Sequence, residues 1–147
     1  MRSNEAFARC IDATLLKPNA TQEDMKQHLE LAKQYHFKTV AIGCAWIPFA
    51  KEILAGSDVG IGAPIGFPNG YSTTESKVLE TIDAFAKGAI EADIVINIGW
   101  LRSGRYADLE EEIRGFVAGA GGKTTKVILG TYFLTDEEKR QGGRISS

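Results

Sequence analysis

The sequence is poor in cysteine: its 147 residues contain only Cys10 and Cys44, and neither belongs to a Cys-x-x-Cys pair. A disulfide framework or a zinc knuckle is therefore not expected, and both residues are predicted to be buried thiols. No run approaches the roughly 20 apolar residues that a membrane span needs. With 17 basic and 19 acidic residues, the net charge is −2, and there is no basic excess for a phosphate backbone. We expect a cytoplasmic protein that binds neither membranes nor nucleic acid.

Several motifs of catalysis and ligand binding are also missing. There is no Walker loop and no serine or cysteine nucleophile signature. His28 and His36 are eight residues apart on a predicted helix without a Glu-x-x-His setting, so we predict no metal and no cofactor. The run Glu110–Glu112 is predicted to be the solvated face of a helix. The chain is also shorter than the roughly 250 residues of an eight-unit barrel.

What the sequence does contain is a carboxylate at the start of an apolar run, Asp93 in Asp-Ile-Val-Ile-Asn-Ile-Gly. Burying an unpaired charge is costly, so Asp93 needs a partner or a chemical role. Lys126 takes the same place in the run Lys-Val-Ile-Leu-Gly-Thr, and a buried Asp/Lys pair is typical of sites of proton transfer. The alternative is that both residues are strand-end charges that face water.

The apolar pattern predicts alternating strands and helices. Segments with apolar residues at helical spacing separate strand-like runs near residues 8–12, 38–43, 58–65, 92–98 and 125–130. Nearly continuous apolar strands between helices indicate a parallel sheet. We therefore predict one α/β domain over residues 1–147, with about five βα units.

Two of the predicted helices have an apolar face that should pack on the sheet. One face consists of Val78, Leu79, Ile82, Phe85, Ala86 and Ala89, and the other of Leu109, Ile113, Phe116, Val117 and Ala120. Capping boxes are predicted at Ser72 with Glu75, at Thr135 with Glu138 and, in a weaker form, at Thr21 with Asp24. The last residues, 141–147, do not continue a helical pattern.

The loop Ile65–Gly70 follows the third predicted strand and precedes a predicted helix cap. In parallel α/β sheets the chemistry gathers at the carboxyl ends of the strands, and a tight loop at a helix start can receive an anion. The alternative is a structural β-to-α turn that needs its glycines and its proline.

Four segments between about Cys10 and about Arg140 resemble, in order, the N-terminal part of the deoxyribose-phosphate aldolases. These enzymes are lysine-dependent class I aldolases with a (β/α)8 TIM barrel. The matching segments are Ile11–Pro18 (Ile-Asp-Ala-Thr-Leu-Leu-Lys-Pro), Ile65–Gly70 (Ile-Gly-Phe-Pro-Asn-Gly), Thr73–Lys77 (Thr-Thr-Glu-Ser-Lys) and Gly88–Gly99 (Gly-Ala-Ile-Glu-Ala-Asp-Ile-Val-Ile-Asn-Ile-Gly).

The resemblance implies an incomplete TIM barrel and a lyase of deoxyribonucleotide catabolism. Its reaction is retro-aldol cleavage of 2-deoxyribose 5-phosphate to glyceraldehyde 3-phosphate and acetaldehyde, through a lysine Schiff base and without a metal or cofactor. Asp93 matches the family's proton-shuttling aspartate. Asp12 and Lys126 match residues that face the same interior, and we expect them to support Asp93 electrostatically. Lys126 is not the family's nucleophile.

The chain departs from the family at several points. Ala13 replaces a histidine, and Gly130 stands where the family usually has glutamate. The family's Schiff-base lysine lies in a Lys-Thr-x-Thr-Gly segment that this sequence does not contain, and the second active-site lysine and the phosphate-binding glycines are missing as well. Without an activated amine no imine can form. We therefore expect that this chain is a truncated or divergent form and is inactive alone.

Other interpretations stay open. The chain could be a non-catalytic, aldolase-derived scaffold that binds a small ligand or a partner. A five-unit piece of a barrel has two open sheet edges, which predicts a homo-oligomer. A flavodoxin-like open sheet would also fit five parallel units. The position of Asp93 discriminates between a piece of a barrel and an open sheet. In a barrel Asp93 shares a lumen with Asp12 and Lys126, whereas in an open sheet it lies at a sheet edge.

Overall fold

The computed structural model describes residues 4–147. The strands are β1 (Asp12–Leu15), β2 (Thr39–Ile42), β3 (Gly60–Ile65), β4 (Glu91–Val95) and β5 (Thr124–Ile128). The helices are α1 (Asn4–Ala8), α2 (Gln22–Tyr35), α3 (Ile47–Ile53), α4 (Thr74–Lys87), α5 (Ile98–Arg102), α6 (Tyr106–Ala120) and α7 (Asp136–Ile145). Within the described range, no helix has the length and apolar character that crossing a membrane requires.

The strands form one sheet in the order β1-β2-β3-β4-β5, and helices occupy the connections. β2 runs parallel to both β1 and β3, with Asp12 beside Thr39 and Thr39 beside Gly60. A flavodoxin-like sheet has the order 2-1-3-4-5, because its chain reverses direction across the sheet. The observed order is sequential, so that alternative is wrong. The fold is a five-unit part of a TIM-barrel-like α/β structure, as the sequence predicted.

The described chain divides into two compact units. Within the described residues, the first unit extends to Ala63 and also includes Ala84–Glu91, and the second comprises Pro64–Asp83 and Ala92–Ser147. In the first unit, α2 packs on β1, β2 and α3 and buries Met25, Leu29 and Ala32. The second unit has an apolar core of Ile96, Leu101, Leu109, Ile113 and Leu134.

The first predicted strand is misplaced. The run 8–12 contains the end of α1 and a turn, in which the amides of Cys10 and Ile11 donate to the carbonyls of Phe7 and Ala8. The strand itself starts at Asp12. The predicted burial of both thiols is also wrong for Cys10, which is exposed, and is met only in part by Cys44, which is half-buried.

Helix caps follow the predicted hydroxyl residues in two of three cases. Complete capping boxes start α2 at Thr21 and α7 at Thr135. The third prediction is wrong by one residue, because the hydroxyl of Thr73, not Ser72, accepts from an amide of the first turn of α4, that of Ser76.

Helix α7 continues to Ile145, against the expectation that residues 141–147 leave the helical pattern. Gly142 faces the apolar side chains of Leu101 and Leu129, each only 3.1 Å from the position of an added Cβ. The helix can pack that closely because this position carries no side chain.

The buried faces of α4 and α6 differ from the predicted ones. On α4 the buried residues are Lys77, Thr81, Ala84 and Phe85, whereas the apolar residues Leu79 and Ile82 are 67% and 48% exposed. On α6, Leu109, Ile113, Phe116 and Ala120 are buried as predicted, but Val117 is exposed and Glu112 is buried. The buried face of α4 is shifted towards Lys77, whereas that of α6 keeps its predicted residues except that Glu112 takes the place of Val117.

Candidate functional site

Asp93 is the third residue of β4, a strand whose five residues are all buried. Its side chain is 9% exposed, and its Oδ1 atom is shielded from solvent. Lys126 is the third residue of β5 and is half-buried. The alternative that both residues are solvent-facing strand-end charges is therefore wrong for Asp93.

One hydrogen bond relates these two strands in the second unit. The amide of Ile96 donates to the carbonyl of Ile128 at 3.3 Å. Ile96 directly follows β4 and Ile128 is the last residue of β5, so the carboxyl ends of the two strands lie side by side. Asp93 and Lys126 are each the third residue of their strand, and these strands are neighbours in the sheet.

Asp12 belongs to the first unit, at the start of β1. The hydroxyl of Thr39 donates to its Oδ1 atom at 2.6 Å. Glu91, the first residue of β4, is 2% exposed, and its Oε1 atom would lie 3.6 Å from a Cβ added at Gly62. Thr39 lies 3.8 Å from the same point. The first unit therefore holds two carboxylates near one threonine, and sequence reasoning missed the second of them.

Lys77 is a fully buried charged group, with 0% of its surface exposed. Its Nζ atom donates to Gly70 O at 2.6 Å, to Val95 O at 2.9 Å and to Glu112 Oε1 at 2.7 Å. An ammonium has three protons, and these three acceptors use all of them. Burial lowers the pKa of Lys77, whereas the hydrogen bond and charge of Glu112 oppose that shift by favouring the ammonium.

Glu112 is the partner that the sequence analysis assigned to solvent, and that prediction is wrong. It is 0% exposed, and its second oxygen, Oε2, accepts from the amide of Asn97 at 2.9 Å. Asn97 in turn caps α5 through the Trp100 amide, which donates to its side-chain oxygen. Glu110 and Glu111 are exposed as predicted. A lone acidic position on the apolar side of α6 was the available signal, but the neighbouring glutamates obscured it.

The loop Ile65–Gly70 is built around Lys77. Gly66 has φ +63° and Gly70 has φ +72°, and a Cβ added at Gly70 would lie 2.0 Å from the carbonyl oxygen of Ile96. The amide of Gly66 donates to Glu80 Oε2 at 2.8 Å, and that of Gly70 donates to Gly66 O at 2.9 Å. These internal bonds favour the structural turn over the anion-binding loop.

The two histidines have local partners. The Nε2 atom of His28 lies 3.1 Å from the carbonyl oxygen of Ala13, the residue that replaces a histidine in the family motif. His36 ends α2 with φ +52°, and its Nδ1 atom lies 3.1 Å from Asp58 Oδ1. His28 and His36 therefore contact different partners in the first unit, a strand carbonyl and a carboxylate.

Comparison with known proteins relates the chain to one enzyme family. It is 49% identical over 140 residues to a deoxyribose-phosphate aldolase of Staphylococcus saprophyticus and 50% identical over 141 residues to one of Bacillus mycoides. Each match covers 95% of this chain but only 64% and 63% of the relative. The chain thus spans less than two thirds of these relatives. No family model matches it.

Solved structures give the same relation. A Coccidioides immitis protein described as a candidate deoxyribose-phosphate aldolase superposes with a TM-score of 0.95 at 36% identity, covering 99% of this chain and 58% of that one. A tetrameric deoxyribose phosphate aldolase from Aeropyrum pernix gives 0.88 at 29% identity, covering 98% and 61%. Both the fold and the sequence of this chain are therefore similar to deoxyribose-phosphate aldolases over nearly all of its length.

Proposed function

Since the chain is a homologue of the deoxyribose-phosphate aldolases over nearly its whole length, we propose that it carries the proton-transfer part of a retro-aldol site. The proposed substrate is 2-deoxyribose 5-phosphate. The observation that carries the proposal is that buried Asp93 and half-buried Lys126 are each the third residue of the neighbouring strands β4 and β5. We propose that Asp93 transfers the proton and that Lys126 and Asp12 support it electrostatically.

Cleavage of a carbon–carbon bond beside a hydroxyl needs a base that removes the hydroxyl proton. It then needs an acid that protonates the acetaldehyde fragment. A carboxylate can do both in turn: it takes the hydroxyl proton, with a water as relay, and then returns that proton to the fragment. A neighbouring cation keeps the carboxylate ionised before the first step and after the second. Asp93 is shielded enough to exclude bulk water, and Lys126 offers the cation.

We propose that the imine-forming amine is not among these 147 residues. The Lys-Thr-x-Thr-Gly segment of the family does not occur in the sequence. Lys77 is not a substitute, because its Nζ atom is inaccessible and donates all its protons to protein acceptors. The chain alone should therefore not cleave the sugar phosphate.

The experiment is an NMR titration of the Lys126 side chain in the full chain, followed at Cε. In Asp93→Asn the pH midpoint of Lys126 should fall, because a neighbouring carboxylate that favours the ammonium is removed. Asp136→Asn, an equivalent change at an exposed site on α7, is the control and should leave the midpoint unchanged. An identical midpoint in Asp93→Asn and the wild type would contradict the proposed pair.

An assay for acetaldehyde release from 2-deoxyribose 5-phosphate tests the second part of the proposal. We expect no release above that of heat-denatured protein. Release that Asp93→Asn abolishes would show that the chain contains the missing amine.

We further propose that the chain assembles with a second copy along β5, which stands at the end of the strand order. Tyr132 and Phe133, just after β5, are 92% and 58% exposed and stack edge to face. The Aeropyrum pernix relative is tetrameric. Tyr132→Ser with Phe133→Ser should lower the mass measured by light scattering, whereas Tyr71→Ser, at another site with 76% exposure, should not. A monomeric wild type would contradict this assembly.

A further inference from the structure

The end of β4 is held by two buried side chains. Lys77 donates to the carbonyl of Val95, the last residue of β4, at 2.9 Å. Glu112 accepts from the amide of Asn97, two residues further on, at 2.9 Å. The backbone that follows Asp93 is therefore fixed by a cation on one peptide group and an anion on another.

The same two side chains also hold each other and the loop after β3. Their ion pair measures 2.7 Å, and Lys77 also binds Gly70 O at 2.6 Å. Both side chains are fully buried, so no water competes for these bonds. Charge-assisted hydrogen bonds in such surroundings are short and directional, and they leave the attached backbone little freedom.

We propose that Lys77 and Glu112 are positioning residues for Asp93, an inference that rests on the role proposed above for that carboxylate. Proton transfer requires that the acid–base group be held within about 0.5 Å of its productive place. The charge of Lys77 itself is committed to Glu112 and two carbonyls. Its effect on Asp93 therefore runs through the backbone of residues 95–97.

The competing explanation is that the pair only adds to the stability of the second unit. The two explanations predict different patterns. If the pair only adds stability, its loss should lower the protection from hydrogen exchange equally at all amides of the unit, because the effect acts through global unfolding. A positioning role acts first on residues 93–97 and leaves the rest of the unit unchanged.

The test uses Glu112→Gln in the full chain, with Glu110→Gln as the matched control two residues earlier on the same helix. A glutamine presents one acceptor oxygen where glutamate presents two, and the Lys77 ammonium is the stronger donor, so the Asn97 amide loses its acceptor. We expect the Asn97 amide to exchange about tenfold faster in Glu112→Gln, the loss that corresponds to one charge-assisted hydrogen bond. The 13C resonance of the Asp93 carboxyl should move as well. Glu110→Gln should change neither.

A second variant keeps the test decisive where Glu112→Gln does not fold. Lys77→Met with Glu112→Leu removes both charges and fills the space with apolar atoms, a type of exchange that folded proteins often tolerate. It should show the same fast exchange at Asn97 and the same change at Asp93.

The inference is overturned if Asn97 exchange and the Asp93 resonance match the Glu110→Gln values in the variant that folds. It is also overturned if exchange accelerates equally over the whole second unit. Neither readout requires turnover. A failure of Asp93→Asn to affect Lys126 would remove the proposed function yet leave these results intact, so the two failures are distinguishable.

Discussion

The second unit contains one observed lysine–carboxylate pair and one that we propose, and the two differ in what surrounds them. Lys77 and Glu112 are fully buried, and backbone groups and the ion pair take up every donor of the ammonium. Asp93 and Lys126 are each the third residue of neighbouring strands, and Lys126 is half-buried. A pair whose donors are exhausted can only hold structure, whereas a pair with an accessible member can exchange protons. Both cases combine a lysine with a carboxylate, so the surroundings of the charges decide whether the role is structural or catalytic.

The largest effect is expected for Lys77→Met, which leaves Glu112 buried without its cation. Breaking a buried ion pair on one side costs about 3 to 5 kcal/mol of unfolding free energy. Lys87→Met, at an exposed lysine on the same helix, should cost less than about 0.5 kcal/mol. Urea denaturation of both variants gives the comparison, and equal midpoints would mean that Lys77 is not a structural lysine.

The next largest loss of unfolding free energy is expected for Gly70→Ala. Gly70 has φ +72°, and an added Cβ would lie 2.0 Å from Ile96 O. Gly104 has a similar φ, +70°, with no atom within 4 Å of an added Cβ, which makes Gly104→Ala the matched control. We expect about 3 kcal/mol for Gly70→Ala and about 1 kcal/mol for Gly104→Ala, because only the first adds a steric clash to the strain. Equal costs would show that the loop around Lys77 adapts freely.

Replacing both members of the buried pair should cost less than replacing one. In Lys77→Met with Glu112→Leu no charge is left buried, so we expect a loss below about 2 kcal/mol. A double-mutant cycle with Lys77→Met and Glu112→Leu measures the coupling between the two side chains. Additive losses would contradict the ion pair as the source of the single-variant cost.

The smallest effect concerns the partly exposed carboxylate of Glu138. Thr135→Ala removes one bond of the capping box and should cost about 1 kcal/mol at neutral pH. The backbone amide of Thr135 and then its hydroxyl lower the pKa of Glu138 below its usual 4.5. Because the folded pKa is the lower one, this stabilisation is present above pH 4.5 and is lost as the pH falls through the folded pKa. The cost of Thr135→Ala should therefore shrink on acidification, as urea titrations at two pH values can check.

The strand pattern, the sequential βα units and Asp93 could be predicted because they depend on local order. Apolar runs predict strands, and a carboxylate inside such a run is conspicuous whatever lies around it. The equal places of Asp93 and Lys126 in two apolar runs correspond to equal places in β4 and β5. The misplaced first strand shows the limit, because Ala8, Cys10 and Ile11 are as apolar in a turn as in a strand.

Lys77 and Glu112 could not be predicted as a pair, because they are 35 residues apart and their polarity argues for solvent. On α4 Lys77 is buried and Leu79 is exposed. This is the opposite of what an amphipathic pattern predicts, namely that apolar residues are buried and charged residues exposed. Such a pair depends on backbone carbonyls at Gly70 and Val95 that no residue type encodes. Tertiary hydrogen bonding overrode the periodic pattern here.

The most direct test of the difference between the lysines is mass spectrometry of the chain after incubation with acetaldehyde and borohydride, which reduces an imine to a stable adduct. A full-length class I aldolase serves as the positive control. The account predicts no site-specific adduct on this chain, with Lys77 unmodified. A single stoichiometric adduct mapped to Lys77 would contradict its structural role, and one mapped to Lys126 would show that this chain contains its own imine-forming amine.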